Sequence, residues 1–266
     1  MEQTLEWTLD IGGVALTLEG PDLWIGPFAR AWERWSGTAP GWRVRLEMDD
    51  TLPTPDGPLF AVRPRFAEGN CYLEARGFVG EIHPSGRWAS LRAYPVVSLG
   101  DLACFIRTVF AIAAFESGAL LFHAAGIIHR DVLWAFFGPS GSGKTTVSAL
   151  SRGKEVLSDD LILLRRGRDG WEGWATPFSL SRGERRAAPL RALVRLIQAP
   201  EDRIAFIRPG VALGELVANT PVVNADPARV PALFARWEEV LAHVPVCALR
   251  FRKSDTFWGV IDAQFG

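Results

Sequence analysis

From residue 1 to residue 95 the chain alternates apolar and polar side chains in short runs, as in Trp42-Arg43-Val44-Arg45-Leu46-Glu47 and Cys71-Tyr72-Leu73-Glu74-Ala75, with Pro and Gly turns between them. A period of two predicts strands with one buried face, so residues 1–95 read as a small β-rich domain. The pattern changes at Asp101, which opens a helix with Leu102, Phe105, Ile106, Val109, Phe110 and Ile112 at helical spacing, a stripe suited to core packing. Residues 96–266 then form the second predicted domain. Leu120–Ile128 reads as an apolar strand carrying one histidine, His123; a turn at His129-Arg130-Asp131 leads into a second buried strand, Val132–Phe137. Thr146–Leu150 can wind as a helix, and Lys154–Leu164 has an apolar run on either side of the pair Asp159-Asp160. Farther on, Pro189–Gln198 and Pro231–Leu241 read as helices, and Val246–Arg252 and Phe257–Ile261 as closing strands. The sequence has no internal repeat and no low-complexity segment.

Between the second buried strand and the short helix lies Gly138-Pro139-Ser140-Gly141-Ser142-Gly143-Lys144-Thr145-Thr146, which satisfies G-x-x-x-x-G-K-[ST] in strand–loop–helix context. Glycines allow such a loop to curl with its N–H groups inward, where phosphate oxygens meet backbone donors and the positive end of a helix dipole. Lys144 would reach the terminal phosphates and Thr145 would hold magnesium. The alternative is a glycine-rich turn before an ordinary helix. Asp159 and Asp160 follow shortly after, at the end of a strand. Adjacent carboxylates repel and are costly to bury without a cation or a proton donor, so beside a phosphate loop they point to magnesium and a catalytic base. A turn with two solvated aspartates is the other reading. His123 has a similar ambiguity: a single histidine in an apolar strand is commonly a core residue, but the hairpin returns this one toward the loop.

Taken together, His123-Ala124-Ala125-Gly126, Gly138–Thr145 and Leu157-Ser158-Asp159-Asp160 resemble the catalytic domain of the HPr serine kinase/phosphorylase family, whose P-loop fold is shared with ATP-dependent phosphoenolpyruvate carboxykinase. The resemblance spans roughly residues 101–262 and includes Thr176-Pro177-Phe178 and Ala188-Pro189-Leu190-Arg191-Ala192-Leu193, typical of the shorter relatives. It implies an α/β protein with a phosphoenolpyruvate carboxykinase/HPr kinase-like P-loop core behind the small β-rich N-terminal domain. It also implies ATP and magnesium (Mg2+) as cofactors. ATP would lie on Gly138, Ser140, Gly141, Ser142, Gly143, Lys144, Thr145 and Thr146, and magnesium on Thr145 and Asp159. Asp160 would take the proton of an attacking hydroxyl, with His123 tuning it and Lys144 neutralising charge on the transferring group.

The sequence departs from the patterns of these relatives in two respects. The glycine-rich signature that follows the paired aspartates in HPr kinases, with its further acidic residue, is missing; Glu172 and Glu184 are loose substitutes. Nor are the arginine-rich substrate segments of a carboxykinase present. Small kinases of this type accompany peptide-tailoring systems such as lasso-peptide biosynthesis, which makes a serine of a peptide or small protein the expected acceptor. Two alternatives stay open: a nucleotide-binding regulatory or scaffold protein without transfer, and a carboxykinase- or phosphorylase-type activity.

Composition narrows the partners. At 266 residues, 48% hydrophobic and a net charge of -1, the chain can bury a sizeable core and is no basic nucleic-acid binder. Arg165-Arg166-Gly167-Arg168 and the run from Arg182 to Arg186 are short and mixed with acids, although Arg182, Arg185 and Arg186 could meet phosphate or an acidic substrate. The 11 tryptophans are scattered and suggest no stacking platform. An acidic, alternating N-terminus is no signal peptide, and apolar stretches fall short of the ~20 residues of a membrane helix. The odd cysteine set Cys71, Cys104 and Cys247 has no metal spacing, so a reduced, cytoplasmic setting is expected. The oligomeric state is open, a homo-oligomer included.

Overall fold

A computed structural model describes residues 3–179 and 187–266. The chain is a mixed α/β protein with two sheets, and its contacts divide it into two compact units. The first unit comprises residues 1–117 with 225–228, and the second residues 118–224 with 229–266.

The first unit runs β1 (Thr4–Ile11), β2 (Val14–Pro21), α1 (Asp22–Ala31), β3 (Trp42–Met48), β4 (Arg65–Ala67), β5 (Asn70–Ala75), β6 (Phe78–His83), β7 (Trp88–Ala93) and α2 (Leu99–Glu116). Its seven strands lie in the order β1-β2-β3-β7-β6-β5-β4. The alternation in the sequence is the alternation of the sheet: Trp42, Val44 and Leu46 are buried while Arg43 and Arg45 are exposed. The predicted helix is present, but Asp101 does not cap it. Ser98 is the N-cap and accepts from the Asp101 N–H, while the Asp101 carboxylate accepts from the Ser98 hydroxyl at 2.6 Å and the Leu59 N–H at 2.7 Å. These bonds, and the contact of Phe105 with Gly80, place α2 in the first unit. The boundary falls after Ser117 and not after residue 95.

The second unit runs β8 (Leu120–His129), β9 (Val132–Phe137), α3 (Lys144–Leu150), β10 (Glu155–Ser158), β11 (Leu161–Arg166), β12 (Trp171–Ala175), β13 (Ala187–Gln198), β14 (Arg203–Phe206), α4 (Pro209–Ala218), α5 (Val230–Leu241), β15 (Val246–Phe251) and α6 (Phe257–Phe265). The hairpin β8–β9 turns on Arg130 and Asp131, both at positive φ (53° and 63°). Strand β9 pairs antiparallel with β8 and parallel with β13, so the path β8–β11–β12–β13–β9 returns to β8. A core of Trp134, Phe136, Val147, Val194, Leu249, Phe251, Phe257 and Trp258 packs α3 and α6 against these strands.

Two elements differ from the sequence reading. Pro189–Gln198 is strand, not helix. Leu190, Leu193, Val194 and Ile197 fit a helical face, but Leu190, Ala192, Val194 and Leu196 fit a strand equally well, and pairing with both β9 and β15 settles the matter. Phe257–Ile261 is the start of helix α6, not a strand. Phe257, Trp258 and Ile261 are buried on one helical face of that helix. Helix α1, which holds an internal Pro27, has no clear signal in the sequence because its ten residues carry a proline and a glycine.

Candidate functional site

Residues Gly138–Gly143 connect β9 to α3. The loop tip, Pro139 to Gly141, is exposed, and its shape depends on backbone that only glycine adopts easily: φ is +152° at Gly138, +80° at Gly141 and +109° at Gly143. Gly143 is the most constrained. A Cβ there would lie 2.6 Å from the ring of Phe251, which is buried in the core. Gly143→Ala therefore combines backbone strain with a clash and is expected to cost roughly 1–3 kcal/mol, read as a lowered Tm and denaturant midpoint.

The loop holds itself by few bonds. Ser142 N–H donates to the Pro139 carbonyl at 3.0 Å, and Gln198, at the end of β13, donates to the Gly141 carbonyl at 2.7 Å. Gly143 occupies the N-cap of α3 without a side-chain cap, so the first-turn N–H groups of Lys144, Thr145 and Thr146 are left without intrahelical acceptors. The Ser142 hydroxyl is buried and has no hydrogen-bond partner among the described residues. Ser140 lies at the exposed tip, Thr145 is exposed and Thr146 half-buried. Lys144 is only 8% exposed and folds over the loop, donating to the carbonyls of Gly138 at 2.9 Å and Pro139 at 3.4 Å. Burial holds its pKa below the ordinary lysine value, and the charge of Asp160 opposes that shift.

Asp160 is positioned by Ser158. That side chain is fully buried at the end of β10, and its hydroxyl accepts from the N–H groups of Asp160 at 3.3 Å and Leu161 at 3.1 Å. On the far side of the turn, Thr176 donates to the Leu161 carbonyl at 2.8 Å, so the conspicuous Thr-Pro-Phe segment also serves this corner. The turn presents Asp160 to His123, with Nε2 to Oδ1 at 2.9 Å and both side chains partly solvent-accessible. Strand register explains the meeting: Leu161 of β11 lies directly opposite His123 of β8. The His123 N–H itself donates to the Asn219 carbonyl at the end of α4, at 2.8 Å. Ser158→Ala should loosen the corner by leaving two N–H groups unpaired, a loss of about 1–3 kcal/mol in chemical denaturation.

The structure thus brings His123, Lys144 and Asp160 together at one end of the β8–β9 hairpin, beside the glycine loop. Asp159 is half-buried in the same turn. Glu172 does not join them. It pairs with Arg165 across β11–β12, at the end of that hairpin remote from Asp160. Arg182, Glu184, Arg185 and Arg186 lie outside the described residues. Gln198 is a neighbour of the site that no motif includes, and Ser158 lies within the Leu157-Ser158-Asp159-Asp160 motif without a role assigned to it there. Ser158 carries a signal that could find it, a hydroxyl two residues before an acidic residue in a turn, whereas Gln198 is hidden because its strand reads as a helix.

Among the described residues, no group of three or more His, Cys, Asp and Glu gathers to hold a metal. The residues present do fit a nucleotide with its magnesium. A buried cation, uncapped N–H groups and an orphaned hydroxyl line one glycine loop, and magnesium commonly takes one or two protein carboxylates with the rest of its shell from phosphate and water.

No protein-family model matches the chain, and no curated protein matches it. Among solved structures, the chain is similar to the Hpr(Ser) kinase/phosphatase from Coxiella burnetii, with 12% identity and a TM-score of 0.31, over 54% of this chain and 95% of that one.

Proposed function

We propose that this chain is an ATP-dependent kinase that phosphorylates a hydroxyl, the acceptor being a serine of a peptide or small protein. The observation that carries the reading is the His123–Asp160 pair at 2.9 Å, set beside a buried lysine on a glycine loop. A carboxylate oriented by an imidazole can take up the proton of a nearby hydroxyl, and a buried cation is equipped to meet phosphate oxygens.

In this reading Gly138, Ser140, Gly141, Ser142, Gly143, Thr145 and Thr146 form the phosphate cradle, with Lys144 as its cation. Thr145 and Asp159 would hold magnesium. Bound there, MgATP supplies the phosphoryl group and the metal's charge. Asp160 would accept the proton of the acceptor hydroxyl during transfer of the γ-phosphoryl group, with ADP as the leaving group. His123 holds the Asp160 carboxylate in place and stabilises its charge until the proton arrives. Lys144 neutralises charge that moves toward the leaving phosphates.

The remote placement of Glu172 supports a second reading, nucleotide binding without transfer. The test is the incubation of the purified chain with γ-labelled ATP, magnesium and the products of neighbouring genes, followed by mass spectrometry. Label on a serine is expected; tight ATP binding with no label on any acceptor would favour the second reading. No helix among the described residues is long and apolar enough to cross a membrane; a reducing, cytoplasmic setting belongs to this reading on the cysteine composition of the sequence.

A further inference from the structure

At the other end of β9 from the glycine loop, the second unit contains a cleft of about 220 Å³. Strand β9 supplies Trp134 to its wall, β13 supplies Arg191, β8 ends there at His129, Arg130 follows in the turn, and α6 supplies Asp262 and Phe265 with Gly266 beyond it. The kinase reading uses none of these residues.

The chemistry of the lining is specific. Asp262 already has two partners, His129 at 2.9 Å and Arg130 at 3.2 Å, so the one side-chain carboxylate is shared between an imidazole and a guanidinium. Arg191 has no carboxylate partner among the described side chains. Its guanidinium lies 5.1 Å over the ring of Phe265 and reaches only the Phe265 carbonyl, at 3.4 Å. Two guanidiniums and one side-chain carboxylate thus meet in a cleft that Gly266 also lines. The apolar walls are Phe265 and Trp134, whose rings meet edge-on at 4.8 Å. Trp134 is 3% exposed, and its indole N–H has no hydrogen-bond partner among the described residues. A buried donor of that kind ordinarily finds an acceptor.

We propose that this cleft binds a small planar carboxylate, an acid whose compact apolar body lies against Phe265 and Trp134 and whose anion meets Arg191 and Arg130. A guanidinium fork matches a carboxylate in shape as well as charge, and the aromatic walls select a flat, apolar body over a hydrated ion. The volume admits an acid of benzoate size.

The cleft also has a physical line to the glycine loop. Helix α6 carries Phe265 and Asp262 at the cleft and Trp258 one to two turns earlier. Trp258 donates to the Ser151 hydroxyl at 3.1 Å, and Ser151, the C-cap of α3, donates to the Val147 carbonyl at 2.7 Å.

The test uses the full chain and benzoate as the probe, with benzyl alcohol and inorganic phosphate as comparisons, read by calorimetry and by the indole N–H resonances of the tryptophans. Saturable benzoate binding is expected, with benzyl alcohol and phosphate weaker by about tenfold or more. Arg191→Ala, a change at an exposed residue, should weaken benzoate by about tenfold. Lys144→Ala should leave benzoate affinity unchanged, which keeps this site separate from the loop. Absence of saturable binding by the wild type up to about 10 mM overturns the proposal. So does undiminished binding by a folded Arg191→Ala variant, or loss of binding in Lys144→Ala. Arg130→Ala should weaken benzoate as Arg191→Ala does, and undiminished binding by both folded variants overturns the proposal as well.

Discussion

Lys144→Ala is expected to weaken MgATP binding by about ten- to a hundredfold and to lower phosphoryl transfer by roughly 10²–10³-fold or more, because it removes the buried cation of the loop. Calorimetry measures the first and single-turnover transfer the second; equal ATP affinity in variant and wild type would remove the loop from the kinase reading. The same residue sets a pH dependence of known sign. Burial lowers the pKa of Lys144, so the folded protein binds this proton less readily than the unfolded chain. Its contribution to stability is unfavourable below the folded pKa and is relieved as pH rises through the window between the folded and unfolded values. An incoming phosphate reverses the local balance by favouring the ammonium. Affinity for MgATP should accordingly fall as pH rises through the lowered pKa, with proton uptake visible as a buffer-dependent binding enthalpy.

Asp160→Asn is expected to spare nucleotide binding and to reduce transfer by roughly 10²–10⁴-fold, the range for loss of a general base. The amide keeps the size of the side chain and can still hydrogen-bond His123, so a collapse of the corner is not the expected cause. Asp159→Asn should instead raise the magnesium concentration needed for half-maximal activity. Full activity of Asp160→Asn would falsify the assignment of the base.

The local parts of this site are legible in the sequence because short-range chemistry specifies them. A hairpin with a polar turn, a glycine loop that only glycine can bend and a pair of acids between apolar runs all carry their signals within a few residues. Strand β13 is not decided locally. Its apolar residues satisfy two periods at once, and only β9 and β15 on either side resolve them, both of them distant in the chain. Helix α6 escapes the sequence for a related reason: a short segment beginning Phe-Trp offers too little period to overrule β propensity, and the helix shows itself only when Phe265 is included. The displaced domain boundary has a similar origin. A change of period marks where a strand-rich segment ends, but the bonds of Asp101 to Ser98 and Leu59 decide to which unit the next helix belongs.

The tight turn at Arg130-Asp131 has a consequence for the order in which the molecule is assembled. Two-stranded hairpins close in about 1–10 μs, while pairings between distant segments wait on the entropy of closing long loops. His123 and the glycine loop sit on the two arms of one such hairpin, so their approach is available to a chain only partly synthesised. Gln198 reaches Gly141 at 2.7 Å only after β13 has been laid parallel to β9. The nascent protein can bring its histidine to its loop early and must wait for a later strand before the loop tip is held.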